Sequence, residues 1–414
     1  MNDLIRIKDE VRSYAREIEK HITDVHIACF KDSDIPLFLI SNAYPGVWME
    51  HIYDSVTYAK LYPEHTELPK NTLRLFMSHQ TAEGQLPCYV WNGDKINLPP
   101  ERLIGYGQIQ ECVSFGRMCL MTYNLTGDAE LLKECYDATV RWVNWLKKYR
   151  MTSNRGLIEM FVGYDTGHDN SGRLEGMKYH GNRSAGGNPL NAGTPPEEDD
   201  ITPILAVDMN CNFYGNLCCL AEMADILGYR KQAKEWRAQA AGVKVKLFEH
   251  CFDKDDCFFY DADKNGNHRK YRSSTIFHLF LERVLDVEAD AEIIKEIYTR
   301  YIGNPNEFKT PYPFPSMSIS DPSWRKHTTR NCWGYFTQGN IELRCTLWMD
   351  HYGWGGDFDN LCARWVEQWT KYRDTLKVGQ ELDPVTGEPS NCSPWYSTGM
   401  LTYLYGAKRL GLID

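Results

Sequence analysis

Apolar residues recur at helical spacing along almost the whole chain, and this pattern constrains its fold more than any other feature. Candidate helices cover residues 4–22, 50–62, 68–82, 108–126, 128–149, 205–227, 230–249, 274–284, 288–302, 339–353, 355–374 and 394–411. In Thr126-Gly127-Asp128, the glycine ends one helix and the aspartate caps the next. Neither half of the chain is rich in strand patterns, so the sequence predicts an all-α protein.

Twelve helices in pairs predict a closed double ring, the (α/α)6 barrel, in which each pair places one helix inside and one outside. The substrate pocket is then expected at one end, with long loops leading into the inner helices. A chain of 414 residues exceeds the usual size of a single core. A closed architecture can be this long as one domain, and no composition shift marks a linker, so residues 1–414 are expected to form a single domain.

The net charge and the composition limit the kinds of molecule that the protein is expected to bind. A formal net charge of −10 argues against nucleic acid, because phosphate binding needs a basic surface. The N-terminal segment is an amphipathic helix without a secretory apolar core, and no run is long enough to span a membrane, so a cytoplasmic protein is expected. The cysteines form no zinc-type pairs, so no metal is expected. Homo-oligomer formation stays open.

Two long segments interrupt the helical pattern, at residues 154–204 and 303–338, and both are rich in glycine, asparagine and proline. Loops of this length in a compact domain are usually functional or disordered, and their aromatic and acidic content favours function. The first contains Asp165 and Asp169, two carboxylates in a glycine-flanked stretch. Glycosidic cleavage needs one protonated carboxyl group and a second carboxylate, but a polar turn uses the same residue types.

A second acidic segment, residues 379–389, leads into the last apolar helix and by itself is typical of a surface turn. Together with other segments, however, it resembles glycoside hydrolase family 63, the inverting α-glucosidases and mannosylglycerate hydrolases, and more faintly the trehalases. Six segments carry the resemblance in order: Asp165-Thr-Gly-His-Asp169, Ala206-Val-Asp208-Met-Asn210, Phe252-Asp253 through Asp261, residues 310–322, Trp333 to Gly339, and Leu382-Asp383-Pro384-Val-Thr386-Gly387-Glu388.

The resemblance implies an (α/α)6 barrel, inversion at the anomeric carbon and no cofactor. It makes Asp169 the general acid and Asp165 a ligand of sugar hydroxyls. It also implies a substrate-binding set, to which Arg173 is added from the same loop: Trp48, Glu50, Gln108, Asp165, Arg173, Trp333, Tyr335, Gln338, Gly339, Gln380 and Trp395.

This chain departs from the family pattern where the catalytic base is expected. The family has a glutamate three residues before the aspartate of Asp-Pro, and that position is Gln380 here. A glutamine cannot accept a proton from water. Either Glu381 is the base, which we favour, or Glu388 serves, or another route operates. Glu50 also replaces a family aspartate, and Gln338 lies near a missing arginine.

The sequence therefore predicts an exo-acting glycoside hydrolase that cleaves a small α-linked glucoside or related α-glycoside with inversion. A sugar epimerase or isomerase on the same barrel is the first alternative, although the pocket loops contain more carboxylates than histidines. A sugar-binding homologue with lost or altered catalysis is the second, and Gln380 motivates it.

Overall fold

The computed structural model describes residues 6–30, 33–178, 192–194, 200–324, 333–390 and 392–414. These residues form twelve α-helices: α1 (Lys8–His21), α2 (Ile52–Leu61), α3 (Glu67–Ser78), α4 (Phe115–Thr126), α5 (Ala129–Tyr149), α6 (Val207–Ile226), α7 (Arg230–Cys251), α8 (His278–Leu281), α9 (Ala291–Ile297), α10 (Gly339–Arg344), α11 (Gly355–Tyr372) and α12 (Ser397–Arg409). The prediction of a mostly helical protein is confirmed.

Helices that follow one another pack as pairs, as in α2 with α3, α4 with α5, α6 with α7 and α11 with α12. The even-numbered helices also contact one another. Helix α4 contacts α2 and α6, α6 contacts α8, and α12 contacts α10 and α2. Phe277 and Phe280 lie beside Trp348, with ring centroids 5.6 Å apart in both cases, and connect α8 with the segment after α10. Helix α6 contacts α4, α5, α7 and α8 and is buried on most sides, as its nearly all-round apolar sequence indicates.

Local signals explain where several helices begin and end. Gly127 ends α4 with a φ of +67°, and the Asp128 carboxylate accepts a hydrogen bond of 3.0 Å from the Leu131 amide at the start of α5. The helix expected over 108–126 begins only at Phe115, because Gln110 has a φ of +53°, which a helix does not allow. The helices expected over 274–284 and 339–353 are shorter than predicted and each combines an α-helical and a 3₁₀ segment.

Short antiparallel strands connect these helices. They are β1 (Ile27–Cys29), β2 (Pro36–Phe38), β3 (Gly46–Trp48), β4 (Tyr89–Trp91), β5 (Ile104–Gly105), β6 (Phe252–Asp253), β7 (Phe258–Phe259), β8 (Asp261–Ala262), β9 (His268–Arg269), β10 (Thr337–Gln338) and β11 (Glu381–Leu382). Two pairings shape the site described below: β3–β4–β5, with Trp48 opposite Tyr89, and β10–β11, with Gln338 opposite Glu381.

Parts of the two long loops, residues 179–191, 195–199 and 325–332, lie outside the described residues. Within the described ranges, no helix has both the length and the apolar character needed to cross a bilayer.

Candidate active site

A cavity of about 440 Å³ is lined by residues from β3, β4, the start of α2 and both long loops. This volume lies within the range of small-molecule sites. Three kinds of side chain dominate its wall. They are the aromatic residues Tyr44, Trp48, Tyr89, Trp91, Tyr164, Trp333 and Tyr396, the amides Gln108, Gln110 and Gln380, and the carboxylates Glu50 and Asp169.

The pairing of β3 with β4 builds the aromatic part of the wall. Trp48 and Trp91 meet edge to face with ring centroids 4.4 Å apart, and Tyr89 lies 5.3 Å from Trp48. Tyr44 packs edge to face on Trp48 at 5.8 Å. Flat aromatic surfaces of this kind fit the apolar C–H faces of a sugar ring.

Asp169 lies in a loop that turns tightly against the segments that lead into α2 and α4. Gly167 has a φ of +70°, and a Cβ atom there would lie 2.5 Å from both Cys112 Sγ and Glu50 Oε2, so only glycine fits. The Oδ1 atom of Asp169 is buried and has no hydrogen-bond partner. Burial, and then the charge of Glu50, raises the pKa of Asp169 well above its usual value. These surroundings favour the neutral, protonated form of Asp169.

Glu50 begins a buried chain of ionisable groups. Its Oε1 lies 2.7 Å from His51 Nε2, and His51 Nδ1 lies 2.8 Å from Asp54 Oδ2. Burial opposes charge on His51, but the Asp54 and Glu50 carboxylates outweigh it and raise the His51 pKa to about 9. Burial likewise raises the pKa of Glu50, but His51 and Arg344 outweigh it and lower that pKa overall. The described part of the cavity wall thus carries two carboxyl groups whose pKa values are shifted in opposite directions.

Three residues beside the cavity have backbone conformations that side chains rarely adopt. Gln110 has a φ of +53°, Asn170 of +56° and Trp333 of +75°. Such strain concentrates at functional sites, where the surrounding structure maintains it. Gln110 also accepts a hydrogen bond from the Gln108 amide, while Gln108 Oε1 is buried without a partner. The amide wall therefore contains an oxygen atom whose capacity to accept a hydrogen bond is not used within the described structure.

Asp165, the expected hydroxyl ligand, lies outside the cavity lining. Its carboxylate pairs with Arg150 and accepts backbone hydrogen bonds from Ile109 at 3.0 Å, Phe161 at 2.8 Å and Val162 at 3.0 Å. Both Asp165 and Arg150 are fully buried. All of these partners are groups of the protein itself, so the Asp165 carboxylate holds the loop in place and does not face the cavity.

Arg173 is also away from the cavity. Its guanidinium binds both Asp208 carboxylate oxygens at 3.0 Å, and its Nε lies 3.2 Å from Asp261. Because all three groups are buried, the charge of Arg173 is used within the protein interior.

Gln380 and Glu381 are neighbours in the sequence, at the start of β11, but their side chains have different surroundings. Gln380 lines the cavity, whereas Glu381 is 1% exposed and is not part of the cavity lining. Glu381 Oε1 accepts from Ser390 at 2.7 Å, and its Oε2 accepts from Gln338 at 2.5 Å. Burial raises the pKa of Glu381 to about 7 despite these donors. Gln380 immediately precedes β11, and side chains of successive residues in extended backbone point to opposite sides. This explains why Gln380 lines the cavity and Glu381 does not.

Some of the remaining predicted residues line the cavity and others do not. Trp48, Glu50, Gln108, Trp333 and Gln380 line the cavity, together with Asp169. Tyr335, Gln338, Gly339 and Trp395 do not. Trp395 instead stacks on His21 of α1 at 4.2 Å, and Tyr335 stacks on Phe336 at 4.4 Å.

Several cavity residues were not identified from the sequence. They are Tyr44, Tyr89, Trp91, Arg102, Gln110, Tyr164, Cys392 and Tyr396, along with His51 and three aliphatic residues. The alternating aromatic residues of Tyr89-Val90-Trp91 are a usable signal for a strand with one aromatic face. His51 had no such signal, because its role depends on two carboxylates that only the fold places around it. The described residues contain no cluster of three ligands suited to a metal ion.

Comparisons with known proteins agree with this architecture. The structure superposes on the family 63 mannosylglycerate hydrolase of Thermus thermophilus in complex with Tris, with a TM-score of 0.69 at 14% identity, over 95% of this chain and 99% of that one. Neutral trehalase from Saccharomyces cerevisiae gives a TM-score of 0.66 at 13% identity, over 96% and 80% of the two chains.

An uncharacterized protein of Borreliella burgdorferi is 28% identical over 148 residues, which is 36% of this chain and 30% of that protein. The model of the mannosylglycerate hydrolase MGH1-like glycoside hydrolase domain matches residues 65–397, the greater part of the chain and of the cavity. This chain is therefore a member of the MGH1-like glycoside hydrolase family.

Proposed function

We propose that the chain is an exo-acting α-glycosidase, built as a single-domain (α/α)6 barrel, that hydrolyses a small α-linked glucoside or related α-glycoside with inversion. One observation carries the proposal: the Asp169 carboxyl group, whose surroundings favour its protonated form, lines an aromatic-walled cavity of about 440 Å³. A cavity of this size supports a small substrate, and a small pocket suits cleavage at the end of a sugar chain.

Asp169 is the proposed general acid. A glycosidic oxygen is a poor leaving group unless it receives a proton as the bond breaks. An acid with an ordinary pKa near 3.8 would be ionised at neutral pH, whereas burial and the nearby Glu50 charge raise the pKa of Asp169 well above that value and favour its protonated form. Its side chain lines the cavity in which a substrate would lie.

Glu381 is the base that the sequence pattern favours, and its position makes that role difficult. A general base needs to lie within hydrogen-bond distance of the attacking water. Both Glu381 oxygens already accept hydrogen bonds, from Ser390 and Gln338, and Glu381 is not among the residues that line the cavity. To act as base, Glu381 would have to break one of these bonds and turn into the cavity.

A sugar-binding protein without turnover is the second candidate, because Gln380 occupies the wall where the family pattern has a base. Incubation with a panel of α-linked disaccharides separates the two candidates. Release of new reducing sugar supports the hydrolase. Binding of the same sugars without any release contradicts it and supports the binding protein.

Arg102 allows a test of whether the leaving group of the substrate carries a negative charge. It lines the cavity at an exposed position of the rim, beside Tyr89. The structural neighbours are named for mannosylglycerate, which carries a carboxylate, and for trehalose, which does not. We expect Arg102→Gln to raise KM for mannosylglycerate about fivefold to tenfold, since a partly exposed charged contact contributes about 1 kcal/mol. The KM for trehalose should stay within about twofold.

The matched control is Arg74→Gln, which removes an exposed arginine paired with Glu134 on another part of the surface. Steady-state kinetics with both sugars measure the split. Equal changes in both KM values would show that Arg102 does not read the charge of the leaving group.

A further inference from the structure

A second and much smaller cavity lies between the loop that carries Asp169 and helices α8 and α10. Its volume is about 10 Å³, which is room for about one water-sized guest and is too small for a sugar or a polyatomic anion. Four apolar and four polar side chains line it, all of them buried, and the polar ones are His168, Ser274, His278 and Arg344. None of these residues lines the catalytic cavity, so this is a separate site.

Three of the polar side chains have buried atoms without a protein partner. These atoms are Nη1 and Nη2 of Arg344, Nε2 of His168 and Oγ of Ser274. Buried polar groups in proteins nearly always have a hydrogen-bond partner, and an ordered guest supplies it where the protein does not. A guanidinium can only donate hydrogen bonds, whereas a hydroxyl and a neutral imidazole can each donate one. The three side chains together therefore suit a guest that accepts hydrogen bonds.

The charge of the lining favours an anion over a water molecule as that guest. Arg344 is a buried cation, and no carboxylate of the described residues pairs with it. Glu50 is near enough for Arg344 to lower its pKa, but the Glu50 carboxylate pairs with His51. A buried charge without a direct counter-charge is strongly unfavourable, and a bound anion provides one.

The two histidines of the lining do not add to its charge. Burial lowers the pKa of both His168 and His278 well below the usual value, so both rings are neutral at pH 7. His278 Nδ1 lies 3.2 Å from Asn212 Oδ1, and Asn212 uses its amide nitrogen to donate to the Glu111 carbonyl. The His278 proton is therefore on Nδ1. Arg344 remains as the single cation of the described lining, which matches a guest with one negative charge.

We propose that this cavity is a halide site, in which chloride accepts hydrogen bonds from Arg344, Ser274 and His168. The size of the cavity restricts the guest to a single atom, and the charge of the lining makes that atom an anion. The three donors belong to the loop of the general acid, the segment before α8 and the end of α10. A bound halide therefore connects the acid loop to two helices of the barrel.

Bromide tests the site directly, because it has the same charge as chloride and scatters anomalously. In crystals grown in sodium bromide and measured at the bromine absorption edge, we expect an anomalous peak inside the cavity, in contact with the Nη atoms of Arg344. A water molecule in the cavity without an anomalous peak would overturn the proposal. Bromide peaks confined to the protein surface would overturn it as well.

Thermal unfolding tests whether the halide binds in solution. At constant ionic strength, exchange of sodium gluconate for sodium chloride should raise the Tm by about 1–3 °C, because a ligand that binds only the folded state stabilises it. Arg344→Gln should abolish this difference. Arg74→Gln, which removes an exposed arginine, should preserve it and is the matched control.

Ser274→Ala removes one donor and leaves the charge in place, so it tests the site even if Arg344→Gln does not fold. We expect it to raise the chloride concentration that gives half of the Tm shift by about tenfold. An unchanged concentration, or an equal chloride response in Arg344→Gln and the unaltered protein, would contradict the proposal. So would a bromide peak in the crystal without any chloride response in solution, because it would show binding at crystal concentration only. None of these measurements depends on turnover, so their result is independent of the proposed glycosidase function.

Discussion

Asp169→Asn is expected to lower kcat for α-linked disaccharides about 10²–10⁴-fold, the usual contribution of a general acid. Asparagine has nearly the same shape as aspartate but cannot supply the proton that the leaving oxygen requires. In the unaltered protein, activity should fall as the pH rises through the raised pKa of Asp169, because the acid then loses its proton. The variant should lack this basic limb in its residual activity. Rates measured across the pH range test both expectations.

Thermal unfolding provides the control for folding. The folded pKa of Asp169 is raised from 3.8, so the stability linked to its proton is present at low pH and lost as the pH rises through the folded value. Asparagine carries no charge and avoids this loss. The Tm of Asp169→Asn relative to the unaltered protein should therefore increase with pH. Asp137→Asn, on an exposed face of α5, should change neither rate nor Tm. Full activity of Asp169→Asn would refute the acid assignment.

Asp165→Ala is expected to destabilise the fold by about 3–5 kcal/mol, because it leaves the buried Arg150 without its counter-charge. Arg150 would keep only carbonyl acceptors, from Glu159 at 2.9 Å and Ala192 at 2.8 Å. The amides of Phe161 and Val162 would also lose their acceptor. Urea unfolding measures this change in the free energy of unfolding.

Asp137→Ala is again the matched control, since its exposed pair with Lys133 should contribute less than about 1 kcal/mol. A contrary result would be a stable Asp165→Ala variant, with a change below about 1 kcal/mol, whose KM for sugar is strongly raised. That result would return Asp165 to the role of hydroxyl ligand that the family resemblance implies.

The sequence predicted the helical architecture well because its signals are local. Apolar periodicity identified the paired helices, and Gly127-Asp128 marked a boundary that the structure confirms through a cap on Leu131. The predicted start of α4 was too early in the chain, because the positive φ of Gln110 is imposed by the surrounding fold and leaves no local pattern.

The site was harder to predict, since its residues depend on partners far apart in the chain. The sequence could not show that Arg150 would form an ion pair with Asp165. Nor could it show that Asp208, 35 residues away, would bind Arg173. It could also not show that Gln380 would face the cavity while Glu381 faced away. One residue along a strand reverses the face, and the strand pairing that fixes it involves Gln338, 43 residues before Glu381.

The most direct test of the account follows the first-formed sugar anomer by NMR while the unaltered protein cleaves an α-linked disaccharide. A water molecule activated by a base and attacking opposite the protonated leaving group inverts the anomeric carbon. We predict that the β anomer of the released sugar appears first and then mutarotates. First appearance of the α anomer would contradict direct attack by water, and with it the proposed inverting mechanism in which Asp169 is the acid.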